Sequence, residues 1–354
     1  MMHAASRHAG VRPQINNTGD SANNNAGNNA GNNTANNAAN EAQTSTTRYV
    51  GRFAPSPTGP LHFGSIVAAI GSWLDARAVN GAWHLRLDDL DGPRNEAGAD
   101  RRITNELLRL GLEWDGPLTR QSEHPERYRD ALQQLQASAA TFACGCSRKD
   151  LISGVYPGTC RFGLAAGVTA RSTRLRVHDQ SIEFSDLVQG QYAQNLQTSI
   201  GDFVLLRADG IVAYHLATVV DDALAGVTHV IRGCDLLEST PRQIALQRAL
   251  KVPTPTYAHL PLALNPDGQK LSKQTRATST ENQSPAVLWR AALHFLGYHA
   301  TASLRNADLK EIQRWAITRW SISRLPSAAR VIDGGLLHDP AHVQGTRTKG
   351  AHTC

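Results

Sequence analysis

Apolar residues along the chain recur with two different periods, and polar turns separate the segments. Residues 49–53 form a short predicted strand, and a loop rich in Pro and Gly then leads to helical spacing of apolar residues over 64–80. A second strand is predicted at 83–87, and helices are predicted near 97–111 and 125–140. This succession of strand, loop, helix and strand indicates an α/β fold that begins with parallel strands.

The regular alternation is interrupted between residues 141 and 199, where a cysteine cluster and short β-like pieces such as 172–177 appear. An interruption of this kind predicts an insert within a larger α/β domain. Beyond the insert, the predicted elements are a strand at 203–207, a helix near 213–224, a strand at 229–231, a helix at 240–250 and helical structure from 284 onward.

The two ends of the chain differ in composition from its centre. Residues 13–47 consist mainly of Asn, Ala, Gly and Thr, which cannot form an apolar core, so a disordered leader is predicted over 1–47. Residues 335–354 are rich in Gly and His and are expected to form a flexible tail. No run of apolar residues is long enough to span a membrane, and none follows the first arginines as a secretory signal requires, so a cytoplasmic protein is expected.

Net charge and cysteine content exclude few functions for this chain. The formal net charge of +6 fits a nucleic-acid partner without requiring one. The chain has five cysteines, an odd number, and three of them lie within residues 144–160. A set this uneven is not a disulfide framework, and the cluster calls for an explanation of its own.

Residues 55–65 lie between the first predicted strand and the first predicted helix, and they contain two glycines and His62. Backbone N–H groups at the start of a helix attract phosphate, and glycine permits close approach of a ligand. An imidazole at this position adds a donor for charge that develops on a transferring phosphoryl group. Considered alone, the loop fits equally well a proline-stiffened connection in which the histidine has no role.

A second candidate for phosphate chemistry is the run at 269–274, which follows a Pro-Asp-Gly turn and contains Lys270 and Lys273. Two lysines on a mobile loop can clamp a departing pyrophosphate and supply positive charge in the transition state. Considered alone, such a run is more often a solvated surface loop.

Residues 62–65 and 270–274 together resemble the HIGH and KMSKS signatures of the class I aminoacyl-tRNA synthetases, in the order and spacing typical of that class. The resemblance covers about residues 48–300 and narrows to the glutamyl branch. It implies a Rossmann-type parallel sheet with a zinc-bearing insert and a small C-terminal helical subdomain. The further blocks that carry it are residues 52–59, 85–91, 214–217 and 230–237.

The resemblance also implies a binding site for glutamate. Arginine suits a side-chain carboxylate because its fork donates two parallel hydrogen bonds, although each charge alone also fits a surface ion pair. Asp88 would pair with the ammonium group, and it stands where the family usually has Glu, which shortens its reach. The implied catalytic residues are His62, Lys270 and Lys273; the implied glutamate-binding residues are Arg52, Phe53, Ala54, Pro55, Ser56, Asp88, Tyr214 and Arg232; the implied ATP-binding residues are His62, Gly64, Ser65 and Lys273.

The cysteine cluster contains Cys144, Cys146 and Cys160, with Tyr156 between them. Three thiols and a phenol or a water can form a tetrahedral zinc site, although the spacing alone also allows three separate thiols. Within the glutamyl branch, the pattern resembles the tRNA-contacting insert of a short paralogue. That resemblance implies Cys144, Cys146, Tyr156 and Cys160 as ligands of one structural zinc, besides Mg²⁺ that accompanies ATP.

Only about eighty residues follow the 269–274 run, which is too few for an anticodon-reading domain. A short form with a Cys-x-Cys insert resembles the glutamyl-queuosine tRNA(Asp) synthetases. The resemblance implies ATP, L-glutamate and queuosine-bearing tRNA(Asp) as partners, without a membrane, and a monomer is expected. Two alternatives stay open: a compact glutamyl-tRNA synthetase that charges the tRNA 3′ end, and a non-catalytic RNA-binding paralogue.

These observations predict a division of the chain into six parts. They are the disordered leader (1–47), the first half of the catalytic domain (48–140), the zinc-binding and acceptor-contacting insert (141–199), the second half of the catalytic domain (200–260), the KMSKS loop with the helical subdomain (261–334) and the flexible tail (335–354).

Overall fold

The computed structural model describes residues 48–264, 280, 283–299, 304–327 and 330–331. Their strands are β1 (Val50–Phe53), β2 (Ala82–Leu87), β3 (Thr119–Arg120), β4 (Thr141–Cys144), β5 (Ser172–Leu175), β6 (Ser181–Asp186), β7 (Gly190–Asn195), β8 (Phe203–Leu206), β9 (His229–Gly233), β10 (Thr256–Leu260), β11 (Ala263–Leu264) and β12 (Arg330–Val331). Their helices are α1 (Phe63–Ala78), α2 (Ala99–Arg109), α3 (Pro125–Ala137), α4 (Leu196–Ser199), α5 (Tyr214–Leu224), α6 (Thr240–Leu250), α7 (Pro285–Phe295) and α8 (Leu309–Arg319). None of these described helices is both long enough and apolar enough to cross a bilayer.

Parallel strands form the centre of the fold. β1, β2 and β3 pair in parallel, and β6, β10 and β9 form a second parallel group that β7 extends as an antiparallel edge strand. The two groups meet where β1 lies beside β9, and the Thr228 N–H donates to the Val50 carbonyl over 2.9 Å. The predicted α/β fold with parallel strands is therefore confirmed.

The central helix α1 is apolar on nearly every side because it contacts both the sheet and other helices. It packs against β1 and β9 and also against α7 and α8. Phe63 meets Phe295 edge to face, with 5.9 Å between ring centroids, and Trp73 meets Trp289 in the same way at 5.8 Å. The C-terminal helices are thereby fixed to the helix that begins directly after His62.

The predicted insert at 141–199 is divided between two sheets. β4 and β5 form an antiparallel sheet with β8, which begins only at Phe203. β6 instead pairs in parallel with β10, with Asp186 opposite Tyr257, and thus belongs to the main parallel group. The boundary predicted at residue 199 does not coincide with the edge of a sheet, because the pairing joins segments that are distant in sequence.

Candidate active site

The loop before α1 presents His62 at the start of the helix. His62 is the N-cap residue, and its Nδ1 accepts the Ser65 N–H over 3.2 Å. The proton of a neutral imidazole then lies on Nε2, which is 3.1 Å from the Ser65 hydroxyl. Gly59 has a φ of 127°, which L side chains avoid, and a Cβ on Gly64 would come within 3.2 Å of the imidazole.

This loop forms one wall of a cleft of about 340 Å³. The other walls come from the ends of β2 and β9, from the start of α5 and from the segment that follows β10. The cleft brings together every described residue predicted to bind glutamate or ATP, namely Arg52, Phe53, Ala54, Pro55, Ser56, His62, Gly64, Ser65, Asp88, Tyr214 and Arg232.

The predicted pyrophosphate-binding loop at 269–274, with Lys270 and Lys273, lies outside the described residues. The chain on either side of it is nevertheless found at the cleft. Ala263 lines the cleft, and the Thr280 hydroxyl donates to the Leu61 carbonyl over 3.0 Å. Described residues on both sides of the predicted loop therefore lie at the wall of the cleft.

Arg52 lies at the end of β1 and belongs to a buried network of charges beneath the cleft. Its Nε donates to both carboxylate oxygens of Asp222 over 3.3 Å. Arg86, two residues before Asp88 on the neighbouring strand, donates from Nη1 to Asp222 over 2.6 Å and from Nε to Asp88 over 2.7 Å. The charge of Arg52 is therefore balanced directly by a buried carboxylate.

The pKa values of two carboxylates in this network shift in opposite directions. Burial alone would raise the pKa of Asp222, but the guanidinium groups of Arg52 and Arg86 lower it below its usual value. Burial raises the pKa of Asp88 in spite of its contact with Arg86. Asp222 is consequently more readily ionised than Asp88, and both Arg52 and Arg86 donate hydrogen bonds to it.

Asp221, next to Asp222 on α5, connects the network to α3. Its carboxylate accepts hydrogen bonds from the Gln121 amide over 2.7 Å and from the Tyr128 hydroxyl over 2.9 Å. Sequence reasoning missed Arg86, Asp221 and Asp222. Their signal was charge at positions whose neighbours are apolar, since buried charged residues are rare unless they are paired.

Arg232, at the other side of the cleft, is surrounded differently. Its Nε donates to His259 Nε2 over 3.0 Å, and its Nη2 donates to the Thr240 hydroxyl over 2.8 Å. Among the described residues, no carboxylate forms a salt bridge with Arg232, and its buried Nη1 has no hydrogen-bond partner. Arg232 thus lines the cleft with one donor unpaired, and no carboxylate in the described part of the chain contacts its guanidinium.

Tyr214 completes this end of the cleft as the first residue of α5, and its side chain is 39% exposed. The next residue, His215, is half-buried, and its ring centroid lies 5.2 Å from that of Tyr214. Loss of solvent around the imidazole, together with Arg242 and Arg232, lowers the pKa of His215 to about 3. A neutral histidine and an exposed phenol thus follow one another, which leaves the phenol available to a ligand.

The predicted metal site forms a separate cluster at the end of β4. The Sγ atoms of Cys144, Cys146 and Cys160 all lie within 4.8 Å of one another, and those of Cys146 and Cys160 are 3.7 Å apart. The Tyr156 hydroxyl is 3.5 Å from Cys144 Sγ and accepts the Cys160 N–H over 2.8 Å. The structure therefore brings together all four residues predicted as ligands.

The thiols of this cluster differ in acidity. Burial alone would raise the pKa of Cys144, but its contacts with Tyr156 and Arg174 lower it to about 7. Burial and the neighbouring thiols of Cys160 and Cys144 raise the pKa of Cys146 to about 11. The group of thiols, with one of them readily ionised, could hold a metal ion.

Comparison with known proteins identifies the family of the chain. The family model of tRNA synthetases class I (E and Q), catalytic domain, matches residues 49–153 and 166–317. The glutamyl-Q tRNA(Asp) synthetase of Aromatoleum aromaticum is 51% identical over 78% of this chain and 90% of its own length. That of Dechloromonas aromatica is 48% identical over 80% of this chain and 98% of its own length.

A solved structure shows the same fold. The glutamate tRNA ligase of Elizabethkingia meningosepticum, in complex with its amino acid, superimposes with a TM-score of 0.70 at 25% identity, over 82% of this chain and 68% of that chain. The family match covers more than half of the sequence, and the relatives match over nearly their whole length. The chain therefore belongs to the glutamyl-Q tRNA(Asp) synthetases, ligases built on the class I tRNA synthetase (E and Q) catalytic domain.

Proposed function

We propose that the chain activates L-glutamate with ATP and transfers the glutamyl group to queuosine in the anticodon of tRNA(Asp). The observation that carries the amino-acid assignment is that Arg232 lines the cleft together with His62, while its buried Nη1 has no hydrogen-bond partner among the described residues. The acceptor is taken from the relatives, whose name specifies tRNA(Asp).

The glutamate side chain would bind to Arg232. A carboxylate at Nη1 supplies the charge that the pocket lacks, and a neutral amide in the same place would leave a buried guanidinium uncompensated. Arg52, balanced by Asp222, would contribute a hydrogen bond with less net charge. Asp88 would accept from the ammonium group and Tyr214 would donate its hydroxyl, which leaves the α-carboxylate directed toward the phosphates.

The phosphates of ATP would lie at the start of α1. Backbone N–H groups there and the imidazole of His62 would stabilise charge while a glutamate α-carboxylate oxygen attacks the α-phosphorus and the bond to pyrophosphate breaks. Lys270 and Lys273 would bind the departing pyrophosphate, and the position of Thr280 at the cleft supports this role. Magnesium bound to ATP would neutralise part of the phosphate charge.

The cysteine cluster fits a structural zinc ion. Zinc–sulfur bonds of about 2.3 Å in a tetrahedron place two sulfurs about 3.8 Å apart, and Cys146 Sγ and Cys160 Sγ are 3.7 Å apart. With a zinc–oxygen bond of about 2.0 Å, sulfur and oxygen lie about 3.5 Å apart, as Cys144 Sγ and the Tyr156 hydroxyl do. We infer that Cys144, Cys146, Tyr156 and Cys160 would hold zinc and fix this small insert.

The insert around the cluster would contact the tRNA acceptor. Phe162 is 95% exposed, and Ile152 in the same insert is 67% exposed, whereas most large apolar residues of the described chain are buried. Arg148, Lys149 and Arg171 are also exposed there. An exposed aromatic ring among cations suits RNA, because unpaired bases stack on aromatic rings and phosphates attract cations.

The other parts of the proposal follow from these sites. We retain the division at residues 47, 140, 199, 260 and 334 as a functional division. The sheets do not follow the boundary at 199, because β6 before it pairs with β10 and β8 after it pairs with β5. We also propose that the chain is a monomer. A cytoplasmic location is proposed because ATP and tRNA are found there.

Replacing Arg232 should remove glutamate activation. We expect wild-type protein to catalyse glutamate-dependent ATP–pyrophosphate exchange without tRNA, with aspartate a weak substrate and glutamine the poorest. Arg232→Leu should lower kcat/KM for glutamate by about a thousandfold, since a charge-assisted contact is lost, and leave the KM for ATP nearly unchanged. The matched control is Arg314→Leu, on the exposed face of α8. Equal activation of glutamine and glutamate by the wild type would contradict the role of Arg232.

The acceptor can be identified with two forms of tRNA(Asp). Labelled glutamate should transfer to tRNA(Asp) that contains queuosine and not to tRNA(Asp) that lacks it, because only the former carries the proposed acceptor. Removal of the 3′-terminal adenosine should leave transfer intact. Loss of transfer after this trimming would instead favour ordinary charging of the 3′ end.

Phe162→Ala should weaken transfer to tRNA and spare adenylation. Loss of one stacked base corresponds to a roughly tenfold to hundredfold effect on kcat/KM for tRNA, and Phe162→Trp should retain most of the activity. The control is Leu224→Ala, which truncates another exposed apolar side chain outside the insert. Transfer kinetics that do not change in Phe162→Ala would exclude the stacking role.

Zinc should be present at about one ion per chain. Cys146→Ser should lose it, and transfer to tRNA should then fall further than pyrophosphate exchange, because the cluster is separate from the cleft. Phe162→Ala is the control for metal content, since it alters the same insert but none of the four predicted ligands. Native protein that contains no zinc on elemental analysis would refute the site.

A further inference from the structure

Behind Arg232 lies a buried histidine that the proposed chemistry does not use. His259, on β10, is fully buried, and its two ring nitrogens face two different charged residues. Nε2 accepts from Arg232 Nε over 3.0 Å, and Nδ1 is 2.6 Å from an Asp186 carboxylate oxygen. An arginine, a histidine and an aspartate thus form a chain that leads from the cleft to the end of β6.

The chemistry of the three groups determines where the proton lies. A guanidinium Nε can only donate, so His259 Nε2 must accept and the imidazole proton must lie on Nδ1, where it is donated to Asp186. Burial lowers the pKa of His259 to about 4, with Asp186 opposing and Arg232 assisting the shift. The imidazole is therefore neutral near pH 7 and acts as a bridge between two charges.

Asp186 is fixed more firmly than a typical carboxylate. Besides the imidazole, it accepts the backbone N–H groups of Val188, Gln189 and His259 at 2.9 to 3.1 Å. Burial alone would raise the pKa of Asp186, but these hydrogen bonds and His259 lower it. Asp186 is thus an acceptor that is ionised near neutral pH, at the turn between β6 and β7.

The two arginines that line the cleft consequently have hydrogen-bond acceptors of different charge. Arg52 contacts a carboxylate directly, whereas Arg232 contacts a neutral imidazole and a hydroxyl, with the carboxylate of Asp186 one residue further away. A direct carboxylate partner would compete with an anionic ligand for the guanidinium. A neutral acceptor orients the same guanidinium and leaves its charge for the ligand.

We propose that Asp186 and His259 are positioning residues for glutamate recognition: Asp186 fixes the histidine tautomer, and the histidine orients Arg232 without neutralising it. The inference rests on the proposed role of Arg232 as the partner of the glutamate side-chain carboxylate. It adds two residues that touch neither substrate. It also connects substrate specificity to the β6–β7 hairpin, which sequence reasoning assigned wholly to the insert.

Asp186→Asn tests the tautomer. The asparagine amide would donate to His259 Nδ1 and force the imidazole proton onto Nε2, where it would face the Arg232 Nε–H, donor against donor. The KM for glutamate should rise about tenfold or more, because a displaced binding group weakens a geometry-dependent contact. The KM for ATP should stay near the wild-type value, and the preference for glutamate over glutamine should decrease.

Two substitutions of the histidine separate hydrogen bonding from packing. In His259→Gln the amide can accept from Arg232 and donate to Asp186, so glutamate KM should stay within about threefold of wild type. His259→Leu has no polar atom there, and its glutamate KM should rise as in Asp186→Asn. Both variants lose the imidazole, so a difference between them in glutamate KM reports the hydrogen bonds.

The control is Tyr257→Phe, two residues before His259 on β10. It removes a buried hydrogen bond that the Gln247 amide donates to the Tyr257 hydroxyl, and it should not change the KM for glutamate. Equal glutamate KM in His259→Gln and His259→Leu, or an unchanged KM in Asp186→Asn, would overturn the inference. So would a parallel rise in the KM values for glutamate and ATP. If the wild type shows no glutamate-dependent exchange, the proposed function itself fails, and the two failures are thereby distinguished.

Discussion

The structure depends on the way in which it stabilises guanidinium groups buried beneath a polar cleft. An unpaired buried charge is costly, so each arginine requires hydrogen-bond acceptors that other elements supply. Asp222 on α5 meets this need for Arg52 on β1 and for Arg86 on β2. The same contacts that satisfy the charges also hold these elements in register, so the walls of the cleft and its electrostatics have a common origin.

The cleft contains two arginines with different electrostatic environments, and this difference is what suits it to an acidic amino acid. Arg52 is paired with a carboxylate, while Arg232 is oriented by His259 and Thr240, which carry no charge. A site with both arginines neutralised would attract no anion, and a site with neither neutralised would be difficult to bury. At the other end, His62 and the start of α1 offer a region suited to phosphate.

The cysteine cluster serves a part of the chain that has little core of its own. Its buried group consists of Phe142, Cys144, Tyr156 and Cys160, far smaller than the core around α1. A metal ion can replace missing apolar burial in such a segment, which is the role proposed here. A rigid insert can then expose a ring such as Phe162, which would be unfavourable on a surface with no ligand to cover it.

The sequence by itself determined the parallel α/β class and most of the residues that line the cleft. The motifs that contain these residues lie at the ends of strands or the starts of helices, and such ends converge in a parallel sheet. The residues are Arg52, His62, Asp88, Tyr214 and Arg232. Only the tertiary structure decided the acceptors behind them. Asp222 is 170 residues from Arg52, and His259 is 73 residues from Asp186. No local period relates such residues, and strand pairing likewise divided the insert in a way its composition did not predict. Local spacing specifies elements and their termini, whereas the pairing of buried charges depends on which elements become neighbours.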